Sequence, residues 1–279
     1  MQAENRVWLG LTLAFVSAVA VNWAYAREHD AVRSLPKLSA VRPLHSAREL
    51  LRSGNWLAAF GAETAGWLVY LAALRLAPLA LVQAVCASGI GMLALFGARG
   101  HPGRLPRRER LAVVAAIVGL VLFSISLVGL NPTDEAPGAV HAVIWLAACA
   151  GAAVGLSLVR LKVSHAATLG LAAGLLFSGG DISAKLIVHG GAWLIVAVPL
   201  VAFYAFGSIQ LQAAFQQGDA VTAGGIATLT TNAVPIAAGV VLLNETLPSG
   251  ANRVLQIVSF ALLVGGAALL TDPRARTPD

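Results

Sequence analysis

Three charged residues stand where apolar surroundings make charge expensive. Glu63 occupies the middle of GAETAGW with no basic residue beside it in sequence, and Asp181 and Lys185 lie four residues apart within LLFSGGDISAKLIV, residues 175–188. On a helix the i, i+4 spacing puts Asp181 and Lys185 on one face, where they can form an ion pair that accounts for both charges. Lys185 can also extend from a span end to the membrane interface. Glu63 has three fates open to it. It keeps its proton, it pairs with a cation from another helix such as Lys185, or it meets a passing cation or proton. Asp181 invites the same chemistry wherever its pairing is incomplete.

The surroundings decide what such charges cost. The 279 residues are 58% hydrophobic and only 11% charged, against roughly 25% charged in a soluble domain. Apolar runs of about 18 residues or more are long enough to cross a hydrocarbon core as helices. Nine recur, at 7–25, 55–75, 79–98, 109–130, 140–159, 166–188, 191–212, 219–243 and 253–271. A charge at the middle of such a span costs about 2.5–3.5 kcal/mol on the insertion scale, so Glu63 and Asp181 are expected to face a bundle interior or a wet cavity.

The net charge of +6 does not point to nucleic acid, because the basic residues cluster at span ends. Arg27, Arg33, Lys37, Arg42, Arg48 and Arg52 fall in the first connection. Arg99, Arg104, Arg107, Arg108 and Arg110 fall in the third, Arg160 and Lys162 in the fifth, and Arg274 and Arg276 in the tail. These connections alternate as the positive-inside rule requires, giving an outside N-terminus and a cytoplasmic C-terminus. Ala24-Tyr25-Ala26 resembles a signal-peptide cleavage site, but the basic flank lies on its far side, so 7–25 is expected to remain as a span. In the long connection 26–54, Ser46-Ala47-Arg48-Glu49 matches a capping box. It predicts a short surface helix over 47–53 with Leu50 and Leu51 toward lipid.

A helix–turn–helix pattern at 70–84, YLAALRLAPLALVQA, lines up with LQAAFQQGDAVTAGG at 211–225, 141 residues on. The turns fall on opposite sides of the membrane, which makes residues 1–139 and 140–279 candidate inverted repeats of four and five spans. The eighth run carries Thr228, Thr230, Thr231 and Asn232 before Pro235, a set expected to mark a broken helix beside a solute site. Gln83 and Ser88 hold the matching region of the third run, and Asn22 lies in the first. Tyr70 and Tyr204 sit deeper in their runs than Trp8, Trp56, Trp145 and Trp193, which read as interfacial anchors. Gly151-x-x-x-Gly155 and Gly170-x-x-x-Gly174 have helix-packing spacing. Cys86 and Cys149 lie in separate spans and read as small core residues. The sequence has no phosphate-binding loop and no clustered histidines, so neither cofactor nor enzymatic chemistry is expected.

ALRLAPLALVQA, TTNAVPIAAGVVLLNETLP and GLLFSGGDISAK resemble the drug/metabolite transporter superfamily in its EamA-like branch. That resemblance implies an all-α polytopic membrane protein that moves a small metabolite or drug-like solute down a gradient-driven cycle. Ten spans are usual there, one more than are counted here. Nine spans with an outside N-terminus are similar to NIPA-type magnesium transporters, and GAETAGWLVYLAALRLAPLALV at 61–82 follows their pattern in part, with Glu63 on the matching position. The alternative it implies is a divalent cation held by Glu63 and Asp181. A non-transporting scaffold, in which Asp181 and Lys185 only fix helix register, is the third reading. The expected setting is a bacterial inner membrane, the expected partners lipid, a small solute and a coupling proton or cation, with a homodimer left open.

Overall fold

The computed structural model describes residues 2–39, 41–74, 76, 82, 85–86, 89–97, 107–126, 138–158, 164–188, 191–242 and 250–271. Among these residues the chain is helical throughout its regular structure, with no strand. The helices are α1 (Gln2–Val32), α2 (Pro43–Arg52), α3 (Gly54–Leu74), α4 (Gly89–Gly97), α5 (Arg107–Ser126), α6 (Ala139–Leu158), α7 (His165–Val188), α8 (Ala197–Gln217), α9 (Ala220–Leu242) and α10 (Ala251–Thr271). A 3-10 turn, Gly191–Val196, leads into α8. Each of the nine expected runs overlaps one of these helices over at least part of its length. This follows from the solvent: where no water is present, a helix satisfies its own backbone groups within one segment.

Among the described residues four helical stretches are long and apolar enough to cross a membrane: Asn5–Val32, Ala139–Leu158, His165–Ser183 and Leu194–Gln217. They mark a membrane protein, and the outward faces of the first, second and fourth agree, with Trp8, Val140, Ile195 and Val198 each more than 60% exposed, while the third is largely buried in the bundle. Small residues sit where helices meet. A Cβ on Gly170 would lie 2.5 Å from the Ala223 carbonyl oxygen, and one on Gly174 would lie 2.5 Å from Thr230 Cβ. Those two glycines let α7 seat directly on α9. Gly151 and Gly155, at the same spacing on α6, have nothing within 4 Å of such a Cβ among the described residues, so there that motif makes no helix contact.

The packing order is regular. α1 lies along α3 and against α4; α7 lies along α8 and against α9; α5 pairs with α10, and α4 meets α9. Individual contacts recur with it. Gly66 of α3 faces Ala20 and Val21 of α1, and Gly207 of α8 faces Leu176 and Phe177 of α7. Asn22 packs on Gly89 and donates to the Ala18 carbonyl at 2.8 Å, while Ser178 donates to the Gly174 carbonyl at 2.7 Å and to that of Thr230 at 3.2 Å. In every case the α1 residue precedes its α7 counterpart by 156 positions, and the α3 or α4 residue precedes its α8 or α9 counterpart by 141.

Several expectations are corrected. α1 runs to Val32, seven residues past the expected end, because one face of its last two turns stays buried while Arg27, Asp30 and Arg33 point outward. The surface helix starts at Pro43, so Ser46 is not its cap. Its hydroxyl instead accepts from the Ser39 amide at 2.9 Å and donates to the Ser39 carbonyl at 3.0 Å. Leu50 is buried with Val32, Leu38 and Trp56, and only Leu51 of the expected pair faces outward. Trp56 is therefore a core residue, stacked on Phe60 with centroids 4.8 Å apart, and not an interfacial anchor. Trp145 is part-buried beside Ala142 and Leu186, and Trp193 has no described side chain. α9 continues unbroken past Pro235 to Leu242.

Candidate functional site

The interior faces of α1, α3, α7 and α8 carry acids and phenols at neighbouring positions. On the second-half side, the Tyr204 hydroxyl of α8 donates to Asp181 Oδ1 of α7 at 2.5 Å. Adjacent glycines make room for this: a Cβ on Gly180 would lie 2.8 Å from the Tyr204 ring, and one on Gly179 would lie 2.6 Å from the ring of Phe203. The Gly-Gly step before Asp181 is thus a berth for two aromatic rings. Lys185 lies one turn further along α7, and its side chain is outside the described residues.

On the first-half side, Glu63 of α3 is half-buried, with the Tyr25 hydroxyl and the Glu28 carboxyl of α1 near enough to interact with it. Tyr25 stands 156 positions before Asp181 and Glu63 stands 141 before Tyr204, the same two offsets that relate the packing contacts. Each helix pair therefore presents one acid and one phenol at matching places, with the acid on α3 in one and on α7 in the other. The two sets are in electrostatic range of each other, since Asp181 acts on both Tyr25 and Tyr70, and Tyr70 acts on Tyr204. Tyr70 also neighbours Cys86, whose Sγ lies 3.9 Å from the Ala14 carbonyl oxygen.

Glu28 extends the first-half set inward. It is fully buried, and its Oε2 accepts from Gln212 Nε2 of α8 at 2.5 Å. Glu28 Oε1 and Gln212 Oε1 are buried with no hydrogen-bond partner among the described residues. Two carboxyl groups facing one another in a poorly solvated interior are stable together only where one keeps a proton or a cation lies beside them. What positions Glu28 is a set of ties from the end of α8 to the end of α1. Gln216 donates to the carbonyls of Val32, Leu35 and Pro36 and accepts from the Leu38 amide at 2.8 Å. His29 Nε2 lies 2.9 Å from the Gly218 carbonyl oxygen, and the rings of Tyr25 and His29 pack edge-on against Phe215.

The other expected residues serve mainly in packing or fall outside the described set. Asn22 bonds its own helix and meets α4 at Gly89. Thr230 and Thr231 donate to the carbonyls of Ile226 and Ala227 in their own helix, at 2.8 and 2.9 Å, and Thr230 seats against Gly174. Gln83 and Ser88 lie outside the described residues, as does the side chain of Asn232. Among the described residues no group of three or more His, Cys, Asp or Glu side chains is arranged to hold a metal ion.

Glu28 and Gln212 were absent from the sequence-based set. The charged stretch AREHDAV reads as a loop following the first span, yet Tyr25, Glu28 and Val32 keep the i, i+3, i+7 spacing of one helix face, with the charges of Arg27, Asp30 and Arg33 on the other. No protein-family model, curated protein or solved structure matches the chain.

Proposed function

We propose that this protein is a gradient-driven secondary transporter that carries a small solute across the membrane by alternating access, built from two inverted repeats over residues 1–139 and 140–279. The observation that carries this reading is the pairing of Tyr25 with Glu63 and of Asp181 with Tyr204, at the same two sequence offsets as the helix contacts around them. Two copies of one structural unit, facing each other in opposite orientation, give a packed structure that opens to either side with little change within each copy. Acids and phenols kept inside a membrane bundle are costly for stability alone, which favours a role in binding and releasing a solute or a coupling proton. The full nine-span topology, an outside N-terminus, a bacterial inner membrane and membership of the drug/metabolite transporter superfamily belong to the same proposal. So does the absence of a catalytic activity. The resemblance of Glu63 and its flanks to the NIPA-type pattern makes a divalent-cation carrier the second reading, and the facing Glu28 and Glu63 carboxyls are what favour it.

The experiment is flux into proteoliposomes under an imposed pH gradient, with amines, amino acids, nucleosides and magnesium as candidate solutes. The proposal expects saturable flux of at least one of them, lost in Glu63→Gln while that variant keeps the wild-type thermal midpoint. Absence of flux across the set, or an undiminished rate in Glu63→Gln, overturns it in favour of a scaffold.

A further inference from the structure

The geometry points to a ligand class for this site: a primary or secondary ammonium, whose N–H groups bond Glu28 Oε1 and Gln212 Oε1 while its charge lies between the Glu28 and Glu63 carboxyls beside the Tyr25 ring. The inference rests on the transporter reading for its biological sense and on separate observations for its chemistry. A buried polar atom without a partner costs about 1–3 kcal/mol, so such atoms are normally satisfied. Here two lie together, on residues linked by their own hydrogen bond and at most 1% exposed. Both are acceptors. Unless Glu28 shares a proton with Glu63, what both lack among the described residues is a donor. An ammonium that replaces that proton supplies N–H groups and positive charge together, whereas a water supplies no charge and an anion supplies the wrong one.

The surrounding groups narrow the class further. Glu63 and Glu28 supply two carboxyl groups that carry negative charge once a cation stands beside them, and Tyr25 supplies a ring and a hydroxyl oxygen. A carboxylate with an aromatic face is the usual chemistry for an organic cation. A quaternary ammonium carries the same charge and the same attraction to rings but has no N–H, so it leaves both acceptor oxygens unmet. A magnesium ion calls for octahedral oxygen ligands and keeps much of its water. The amide oxygen and the two carboxyls are a sparse set for it, and the described residues add no third acid. Glu63 and Tyr25 are part-buried, whereas Glu28 and Gln212 are at most 1% exposed.

The test is thermal stabilisation of the purified full-length protein in detergent, titrated with putrescine, tetramethylammonium and magnesium in parallel. Putrescine is expected to raise the midpoint saturably, with tetramethylammonium and magnesium giving no comparable rise. Glu28→Gln and Gln212→Met, each checked for a single gel-filtration peak, are expected to weaken putrescine binding at least about tenfold, the scale of one charge-assisted hydrogen bond. Equal stabilisation by tetramethylammonium overturns the inference, because the acceptor oxygens would then play no part. Stabilisation by magnesium alone, by none of the three, or undiminished putrescine binding in both variants also overturns it. Flux of some other solute that is lost in Glu63→Gln leaves the transporter reading standing while this inference falls. Putrescine binding with no flux of any solute does the reverse.

Discussion

In the α1–α3 pair the helices approach at Gly66 and the acid, Glu63, sits on α3; in the α7–α8 pair they approach at Gly207 and the acid, Asp181, sits on α7. The small residues and the contacts around them keep their places from one pair to the other. The acid and the phenol exchange helices. If these polar groups served only to fix helix register, an apolar pair would do so at lower cost in a membrane, and there would be no reason for an acid–phenol pair to persist with its members swapped. The two pairs also differ in completeness. Asp181 and Tyr204 are closed on each other at 2.5 Å, whereas Glu63 is backed by Glu28 and Gln212 with acceptor oxygens to spare. On the proposed function, the second pair is the closed one and the first is the one that takes a ligand.

The largest expected effect comes from Glu63→Gln, which keeps the shape of the side chain and removes its charge. Solute flux falls by at least about tenfold, with expression and thermal midpoint unchanged. Next is Gly174→Leu. Its Cβ alone would lie 2.5 Å from Thr230 Cβ and 2.7 Å from the Ala227 carbonyl oxygen, so α7 must move off α9. Overpacking of this kind costs about 1–3 kcal/mol, read as a lower midpoint in detergent, and Gly151→Leu is the control that leaves the midpoint in place. Tyr204→Phe sharpens the contrast between the two pairs. It removes the hydrogen bond to Asp181 and lowers stability by about 1–3 kcal/mol, while Tyr25→Phe has the smaller effect on the midpoint and the larger one on putrescine binding. The smallest effect is that of Gln216→Leu. It frees the segment after α1, which shows as faster hydrogen exchange or proteolysis at residues 33–39 with the global stability lower by about 0.5–1.5 kcal/mol.

How much of this was legible in the sequence depended on what each residue answers to. The helical segments were legible because an apolar run of membrane length has few other ways to satisfy its backbone. Glu63 and Asp181 were legible as isolated charges against that background. Glu28 was not, because it lies among Arg27, His29 and Asp30, and only its register on the helix separates it from residues that face outward. The role of the Gly179-Gly180 step was hidden for a different reason: it depends on Phe203 and Tyr204, more than twenty residues away. Leu50 and Trp56 were misplaced because composition near a membrane surface does not tell which apolar side chains meet protein and which meet lipid. The sequence match at 141 residues marked α3 and α8 as equivalents, but the 156-residue offset between α1 and α7 shows only in the contacts, since the long first connection shifts the register.

The most direct test is the exchange of partners within the first pair, comparing Tyr25→Asp, Glu63→Tyr and the double variant Tyr25→Asp with Glu63→Tyr for flux of the solute that the wild-type protein moves. The double variant installs in α1 and α3 the arrangement that α7 and α8 already hold. The account predicts that each single variant loses flux and that the double variant recovers a substantial part of it. A double variant no more active than either single one, at a thermal midpoint equal to that of the wild type, would contradict it.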